Sequence, residues 1–151
     1  MSTITEPLTI EPAQAADQAA VLALLERSSL PTDGLSDHFD STVVAHAGDQ
    51  IVGCAALEVY EAAALLRSVA VDERLRGQGW GQRLTEAVLD QARRLGVREV
   101  YLLTETASGF FPRFGFQPII RAEVARAVQQ SVEFTSACPS SALVMVLRLP
   151  A

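Results

Sequence analysis

The stretch from Leu65 to Gln82, LLRSVAVDERLRGQGWGQ, constrains this chain more than any other: an apolar run enters a loop of alternating glycines that opens a helical pattern. Gly77, Gly79 and Gly81 remove side chains where the backbone must approach something closely. The first N–H groups of the helix that follows have no internal acceptor and sit at its positive end, so the site suits an anion. Arg74 and Arg76 stand beside it, and together these groups make a pyrophosphate cradle. A P-loop is excluded, because it needs Gly-Lys-Ser/Thr and the chain has no lysine. A dinucleotide fingerprint fails too: the glycines run GxGxG, with Leu84 where the third should be.

The rest of the chain arranges itself around that segment. Residues 7 to 11 read as a short strand, and Pro12 leads into a helix on which Ala15, Ala19, Leu22 and Leu25 recur at helical spacing. SSLPTDGLSDHFD is turn-rich and holds at most one helical turn. Residues 41 to 71 read as three antiparallel strands, with tight turns at Ala47-Gly48-Asp49 and near Glu61-Ala62. From Trp80 the period changes: Trp80, Leu84, Val88, Ala92 and Leu95 define a helix over 80 to 95, stopped by Gly96. VREVYLLT is apolar at consecutive positions, the pattern of a parallel strand covered on both faces. ASGFFPRFGF suits a short helix ending at Gly115, residues 123 to 134 a further helix, and Ala142 to Leu149 a closing strand. The class is α/β with a mixed sheet, in one domain spanning residues 1–151.

Composition narrows the function. Twelve basic residues face eighteen acidic ones, a net charge of −6, which argues against a nucleic-acid binder needing a broad basic face. Between Arg67 and Arg98, however, seven arginines face four acids, a basic island fitting a small polyanion, although a solvated helix face carries such charge as well. Every apolar stretch is broken before the ~20 residues a membrane span requires. The opening residues lack a secretory pattern and only Cys54 and Cys138 could pair, so the expectation is a cytoplasmic protein with free thiols. No cluster of ligating side chains suggests a metal. The apolar closing strand and the 49% apolar fraction point to a homodimer, through a sheet face or edge seeking cover.

Arg76-Gly77-Gln78-Gly79-Trp80-Gly81 resembles the acetyl-CoA signature of the GNAT N-acetyltransferases, Gln/Arg-x-x-Gly-x-Gly/Ala, with Arg76, Gly79 and Gly81 in the matching places. The resemblance covers nearly the whole chain, since the first strand and helix, the meander, the buried strand and the Phe114-Gly115-Phe116 ending follow in the family's order. GFFPRFGF with the later CPSSALVM is similar to amino-acid N-acetyltransferases, and in particular to the stand-alone arsenic-resistance branch. The resemblance implies a mostly antiparallel sheet with a splayed pair of strands, flanked by helices, and an acetyl-CoA-dependent acyltransferase. Its acceptor would be the amino group of an amino acid or a similar, even arsenical, small molecule. It further implies that the backbone of Val69, Ala70 and Val71 pairs with the pantetheine arm and that the Val69 N–H faces the developing oxyanion. Arg76, Gly77, Gln78, Gly79, Trp80, Gly81 and Gln82 would then hold the pyrophosphate.

Attack on a thioester needs a neutral amine, so a base is expected. The candidates are Glu58, in the otherwise apolar IVGCAALEVY on the face of Val52, Cys54 and Ala56, and Glu105, just after the buried strand. Glu58 is either a desolvated group with a raised pKa or the first residue to emerge at the strand's end. The acid departs from the family pattern, because Phe111 occupies the place where many members carry tyrosine. Either the thiolate leaves unassisted or Cys138, Ser140, Ser141 or Tyr101 substitutes, although Cys138 reads more simply as a small buried hydrophobe. His38 and His46 read as loop or surface residues. A different class remains open, a non-catalytic GNAT-fold module that binds acyl-CoA or a partner protein.

Overall fold

Alternating apolar residues and two tight turns make a meander the natural local structure of the chain's middle third, and everything else packs on it. The computed structural model describes residues 7–105, 107–131, 133–134 and 142–150. In chain order the elements are β1 (Leu8–Pro12), α1 (Gln18–Arg27), β2 (Thr42–Ala47), β3 (Gln50–Tyr60), β4 (Ala63–Val71), α2 (Trp80–Arg94), β5 (Glu99–Thr104), β6 (Gln117–Pro118) and β7 (Leu143–Arg148). The strands form one sheet in the order β1-β2-β3-β4-β5-β7-β6, and only β4 and β5 run parallel. The turns before β3 and β4 place Gly48 and Glu61 at φ of +61° and +59°.

Helix α2 supplies the crossover between the parallel strands and buries Leu84, Val88, Leu89 and Ala92 against Val52, Ala55 and Leu57 of β3. It lies so close that a Cβ on Gly53 would come 2.7 Å from Leu84 Cδ1. The helix ends where expected: Gly96 takes φ +80° and Val97 N–H donates to Ala92 O. The opposite face is covered by α1 and the Leu35–Ser41 segment, which bury Val21, Leu24, Leu25, Leu35 and Phe39 against Val44, Cys54 and Ala56. Farther along that face, Val124 and Val128 pack on Leu65, Tyr101 and Val146.

Several sequence expectations need correction. Helix α1 buries Val21, Leu24 and Leu25 rather than Ala15, Ala19 and Leu22, because the face turned to Val44, Cys54 and Ala56 carries those larger residues; Ala15 lies in a separate 3-10 turn, Ala15–Asp17. Leu35–Ser41 holds two 3-10 turns joined at a kink on His38, not one. Residues 123 to 131 do not make one continuous helix; single 3-10 turns stand at Arg121–Glu123 and Val128–Gln130. Leu95, expected on the buried stripe of α2, is 50% exposed beyond the last helical turn. Strand β7 pairs with β5 on one side and, at Val146 and Met145, with β6 on the other. No helix among the described residues is long and apolar enough to cross a membrane.

The close approach of α2 to β3 gives a testable coupling. Leu84→Ala should cost about 2–5 kcal/mol and Gly53→Ala about 1–3 kcal/mol in urea unfolding. In the double variant the added methyl fills the vacated space, so the two costs should fall short of their sum; strict additivity would contradict the contact.

Candidate active site

The site begins with a break in β4. Arg67 stands opposite Ala56 and Ala70 opposite Cys54, so Ser68 and Val69 together face Ala55, a β-bulge. Ser68 takes a left-handed φ of +61°, an uncommon conformation for a residue with a side chain. Its carbonyl accepts from the Cys54 thiol at 3.1 Å and its hydroxyl accepts from Arg67 Nε at 3.1 Å, which fixes the bulge from two sides. Burial pushes the Cys54 thiol up to about 12, so it remains a protonated donor.

Just before the bulge, β4 loses its parallel neighbour. Cα pairing between β4 and β5 covers only Ala63–Leu65 with Glu99–Tyr101, while β5 continues alongside β7 as far as Thr104. Into the fork opens a cavity of about 620 Å³, lined by Leu66 to Val69 of β4, Leu102 to Thr104 of β5, and Ser28 to Pro31 from the end of α1. Phe111, Glu105 and Glu133 line it as well.

Beside the cavity lies a buried charge cluster. The Arg67 side chain is fully buried, its Nη1 donates to Glu58 Oε2 at 2.8 Å, and its Nε lies 3.2 Å from Glu133 Oε2. Arg67 also donates to the carbonyls of Asp33 at 2.6 Å and Pro31 at 3.2 Å, tying the loop after α1 to the sheet. Tyr60 donates to Glu58 Oε1 at 2.5 Å, and His38 Nε2 lies 3.8 Å from the same oxygen. Burial raises the Glu58 carboxyl, but hydrogen bonds from Tyr60, Arg67 and Ser131 and the charge of Arg67 outweigh it, leaving the group below its ordinary range. Tyr60 is pushed the other way, by burial and by Glu58, and stays a neutral donor.

At the far end of β4 the glycine loop has the geometry expected of an anion cradle. Gly77 and Gly79 take φ of +82° and +88°, and a Cβ at either would meet nothing within 4 Å. Backbone conformation, not crowding within the chain, demands glycine there, and the space above the loop is open. Gly79 caps α2, so the unpaired first amides of the helix face that space. Arg76 is exposed, with Nε on Val71 O at 3.2 Å. Arg74 corrects the expected cradle: Asp72 accepts from its Nε, Nη2 and backbone N–H at 2.9 to 3.0 Å. Those bonds, against the opposing effect of burial, bring the Asp72 carboxyl down to about 2.

The family model for an acetyltransferase (GNAT) domain matches residues 38–118, from the kink before β2 to the end of β6. The chain belongs to the GNAT family. An uncharacterized N-acetyltransferase of Chlorobaculum tepidum is 36% identical over 97 residues, covering 64% of this GNAT chain and 60% of that relative. An amino-acid acetyltransferase of Mycobacterium tuberculosis is 38% identical over 71 residues, 46% of this chain and 40% of that one. The chain thus spans less than two thirds of the length of these curated relatives. Among solved structures, a Mycobacterium tuberculosis protein in complex with CoA superposes with a TM-score of 0.79 at 26% identity, over 94% of this chain and 99% of that one. N-acetylglutamate synthase from Neisseria gonorrhoeae, complexed with coenzyme A and N-acetyl-glutamate, reaches a TM-score of 0.81 over 96% of this chain and 36% of its own. At 21% identity that second likeness speaks for the GNAT fold alone.

Measured against this geometry, the sequence expectations divide. Val69, Ala70 and Val71 lie on the splayed strand, and Arg76 to Gln82 form the loop and first turn of α2. Glu105 lines the cavity. Glu58 is neither of the things expected: it is buried rather than emerging, and its carboxyl is lowered rather than raised. It does share the face of Cys54 and Ala56, but Val52 is turned to the α2 side, because Ile51 and Gly53 pair with consecutive β2 residues and leave Val52 as a bulge. Phe111 lines the cavity, whereas Tyr60 and Tyr101 do not. Cys138, Ser140 and Ser141 lie outside the described residues. Sequence reasoning missed Arg67 and Glu133 as site residues, having counted the first in the basic island and the second in a helix.

The Glu58–Arg67 pair makes stability depend on pH with a definite sign. Because the folded carboxyl titrates below its ordinary 4.5, its stabilisation is complete above that value and is lost as pH falls through the folded pKa. Glu58→Gln should therefore cost about 3–5 kcal/mol in urea unfolding at neutral pH. The gap to wild type should close as pH falls below the ordinary carboxyl range; a gap constant with pH would contradict the pairing.

Proposed function

We propose that this GNAT domain is an acetyl-CoA-dependent N-acetyltransferase that acetylates the amino group of an amino acid or amino-acid-like small molecule. The observation that carries the reading is the continuity of one strand: β4 parts from β5 beside a walled cavity and runs on into a glycine loop at a helix N-terminus. A thioester laid along such a strand has its phosphates at the loop and its acyl group at the fork. Support for an amino-acid acceptor comes from the relatives that bear that name. An arsenical amino acid is a narrower form of the same proposal, resting on the GFFPRFGF and CPSSALVM resemblance.

Acetyl-CoA supplies the thioester that the neutral amine attacks once its ammonium form has given one proton to the base; the N–C bond forms as the C–S bond breaks, and the second amine proton ends on the departing thiolate, so that CoA leaves as its thiol. The backbone of Val69, in the bulge, offers its N–H toward the oxygen that gains charge, the interaction that strengthens most in the transition state. The loop from Gly77 to Gln82 and Arg76 hold the pyrophosphate, and the Val69 to Val71 backbone pairs with the pantetheine arm. Of the two carboxylates expected to serve as base, Glu105 faces the cavity and takes the proton through water, while Glu58 holds Arg67 in place. With phenylalanine at 111, the thiolate leaves without a phenol at that place, which a thiol of pKa about 8–9 permits.

At acetyl-CoA a hundred times its dissociation constant the protein should gain about 2.7 kcal/mol of stability, read as a rise in Tm, and amines should release free thiol. A Tm rise without thiol release from any amine would favour a non-catalytic acyl-CoA-binding module; no rise at all would sink the reading. Arg76→Ala removes a charge-assisted contact worth roughly 1.5–3 kcal/mol, so KM for acetyl-CoA should rise about tenfold or more while kcat moves much less. Arg74→Ala should change that KM less, since Asp72 already engages its guanidinium.

A further inference from the structure

We propose that Cys54 is a positioning residue for acetyl transfer: its thiol holds the Ser68–Val69 peptide unit so that the Val69 N–H meets the acetyl oxygen. The inference rests on the acetyltransferase reading, in which that N–H faces the oxygen gaining charge, and it assigns the group that sets the donor's direction.

The geometry of one peptide unit carries it. Ser68 C=O and Val69 N–H belong to the same planar trans unit, so they point in opposite directions. Cys54 Sγ lies 3.1 Å from Ser68 O and donates to it. With the carbonyl drawn toward β3, the Val69 N–H is turned away from β3, to the side where β5 has parted from β4 and the cavity opens. The unit sits in a bulge, where a regular ladder does not dictate the direction of each group. Ser68, at φ +61°, holds a conformation that its neighbours must enforce.

Two contacts do so, and they are not equivalent. Arg67 Nε donates to the Ser68 hydroxyl and so acts on the side chain. Cys54 acts on the unit that carries the Val69 N–H. Its thiol is fully buried, and burial keeps it protonated, although a backbone hydrogen bond from Ala70 to the same sulfur favours the thiolate. That second bond belongs to the peptide unit on the other side of Val69, so one side chain grips the backbone before and after the donor. A hydrogen bond accepted by a carbonyl also polarises its amide, which makes the N–H of the same unit a stronger donor. Cys54 therefore sets both the direction and the strength of the group aimed at the acetyl oxygen. It does so from behind, since Ser68 and Val69 line the cavity and Cys54 does not.

The test reads the bound acetyl group directly. Infrared difference spectra of acetyl-CoA, isotope-labelled at the acetyl carbonyl, give that carbonyl's stretch in wild type, Cys54→Ala and Cys54→Ser, beside kcat and KM from thiol release with the best amino-acid acceptor. In wild type the band should lie below that of free acetyl-CoA, the mark of an accepted hydrogen bond. Cys54→Ala should return it toward the free position, lower kcat about two- to tenfold, and leave KM for acetyl-CoA within about twofold, since the phosphate contacts are intact. Cys54→Ser, which keeps a donor at that place, should restore both band and kcat toward wild type. Should Cys54→Ala not fold, Cys54→Thr and Cys54→Val, matched in shape and differing in the hydroxyl, make the same comparison. A band undisplaced in wild type, a displaced band that Cys54→Ala leaves in place, or a serine variant no better than alanine would overturn the proposal. If acetyl-CoA gives wild type no rise in Tm, the acetyltransferase reading fails and takes this proposal with it. If it raises Tm but no amine releases thiol, only the catalytic reading fails, and the band decides: lost in alanine and kept in serine supports the role of Cys54, and no difference overturns it.

Discussion

One extra residue in β4 governs this molecule. By placing Ser68 and Val69 opposite a single β3 residue, the strand keeps its antiparallel partner on both sides of the bulge and turns its other edge away from β5. Backbone groups released from a ladder must find other partners or pay for desolvation, at about 1–3 kcal/mol each when buried. Here the Ser68 carbonyl finds the Cys54 thiol and the rest of the edge faces an open cavity. A strand edge within a sheet, reachable from outside, is what a linear ligand with amide groups needs.

Arg67 is the second constraint, and it follows from the first. Sitting one residue before the left-handed Ser68, its side chain points to the α1 face and reaches carbonyls 34 and 36 positions earlier in the chain. Those two bonds tie the loop that follows α1 to the sheet, beside the cavity that Ser28 to Pro31 help to line. Glu58 and Glu133 supply the countercharge that makes a buried arginine tolerable, and Tyr60 completes the acceptance at Glu58. Stability and site are in this way the same set of contacts. The glycine loop, by contrast, depends on local backbone conformation and on the helix it opens.

What the sequence made legible was local. Gly48, Gly77, Gly79 and Gly96 carry their message in their own φ angles, and the stripe of Leu84, Val88 and Ala92 repeats within one helix, so the meander, the loop and α2 could all be read. The crossover to a buried parallel strand followed from the consecutive apolar residues of VREVYLLT. Features set by contacts between distant residues left no such trace. The bulge at Ser68 depends on Cys54 and on pairing with Ala56, and the bulge at Val52 reversed the face on which simple alternation placed it. Which side of α1 is buried is decided by the sheet residues Val44, Cys54 and Ala56 that it meets, which residue spacing alone does not encode. Glu133 resembled one more surface glutamate of an amphipathic run; its partner lies 66 positions away in sequence.

The claim that most needs testing is that the β4 edge at the bulge and the glycine loop bind opposite ends of one ligand. Amide chemical-shift mapping on the isotope-labelled protein does this residue by residue, with CoA and acetyl-CoA titrated separately. Both ligands should move the amides of Gly77 to Gln82, and the difference between the two should concentrate at Val69 and its neighbours in β4. Shifts gathered instead in the surface groove between α2 and Phe114, with Val69 indifferent to the acetyl group, would contradict it.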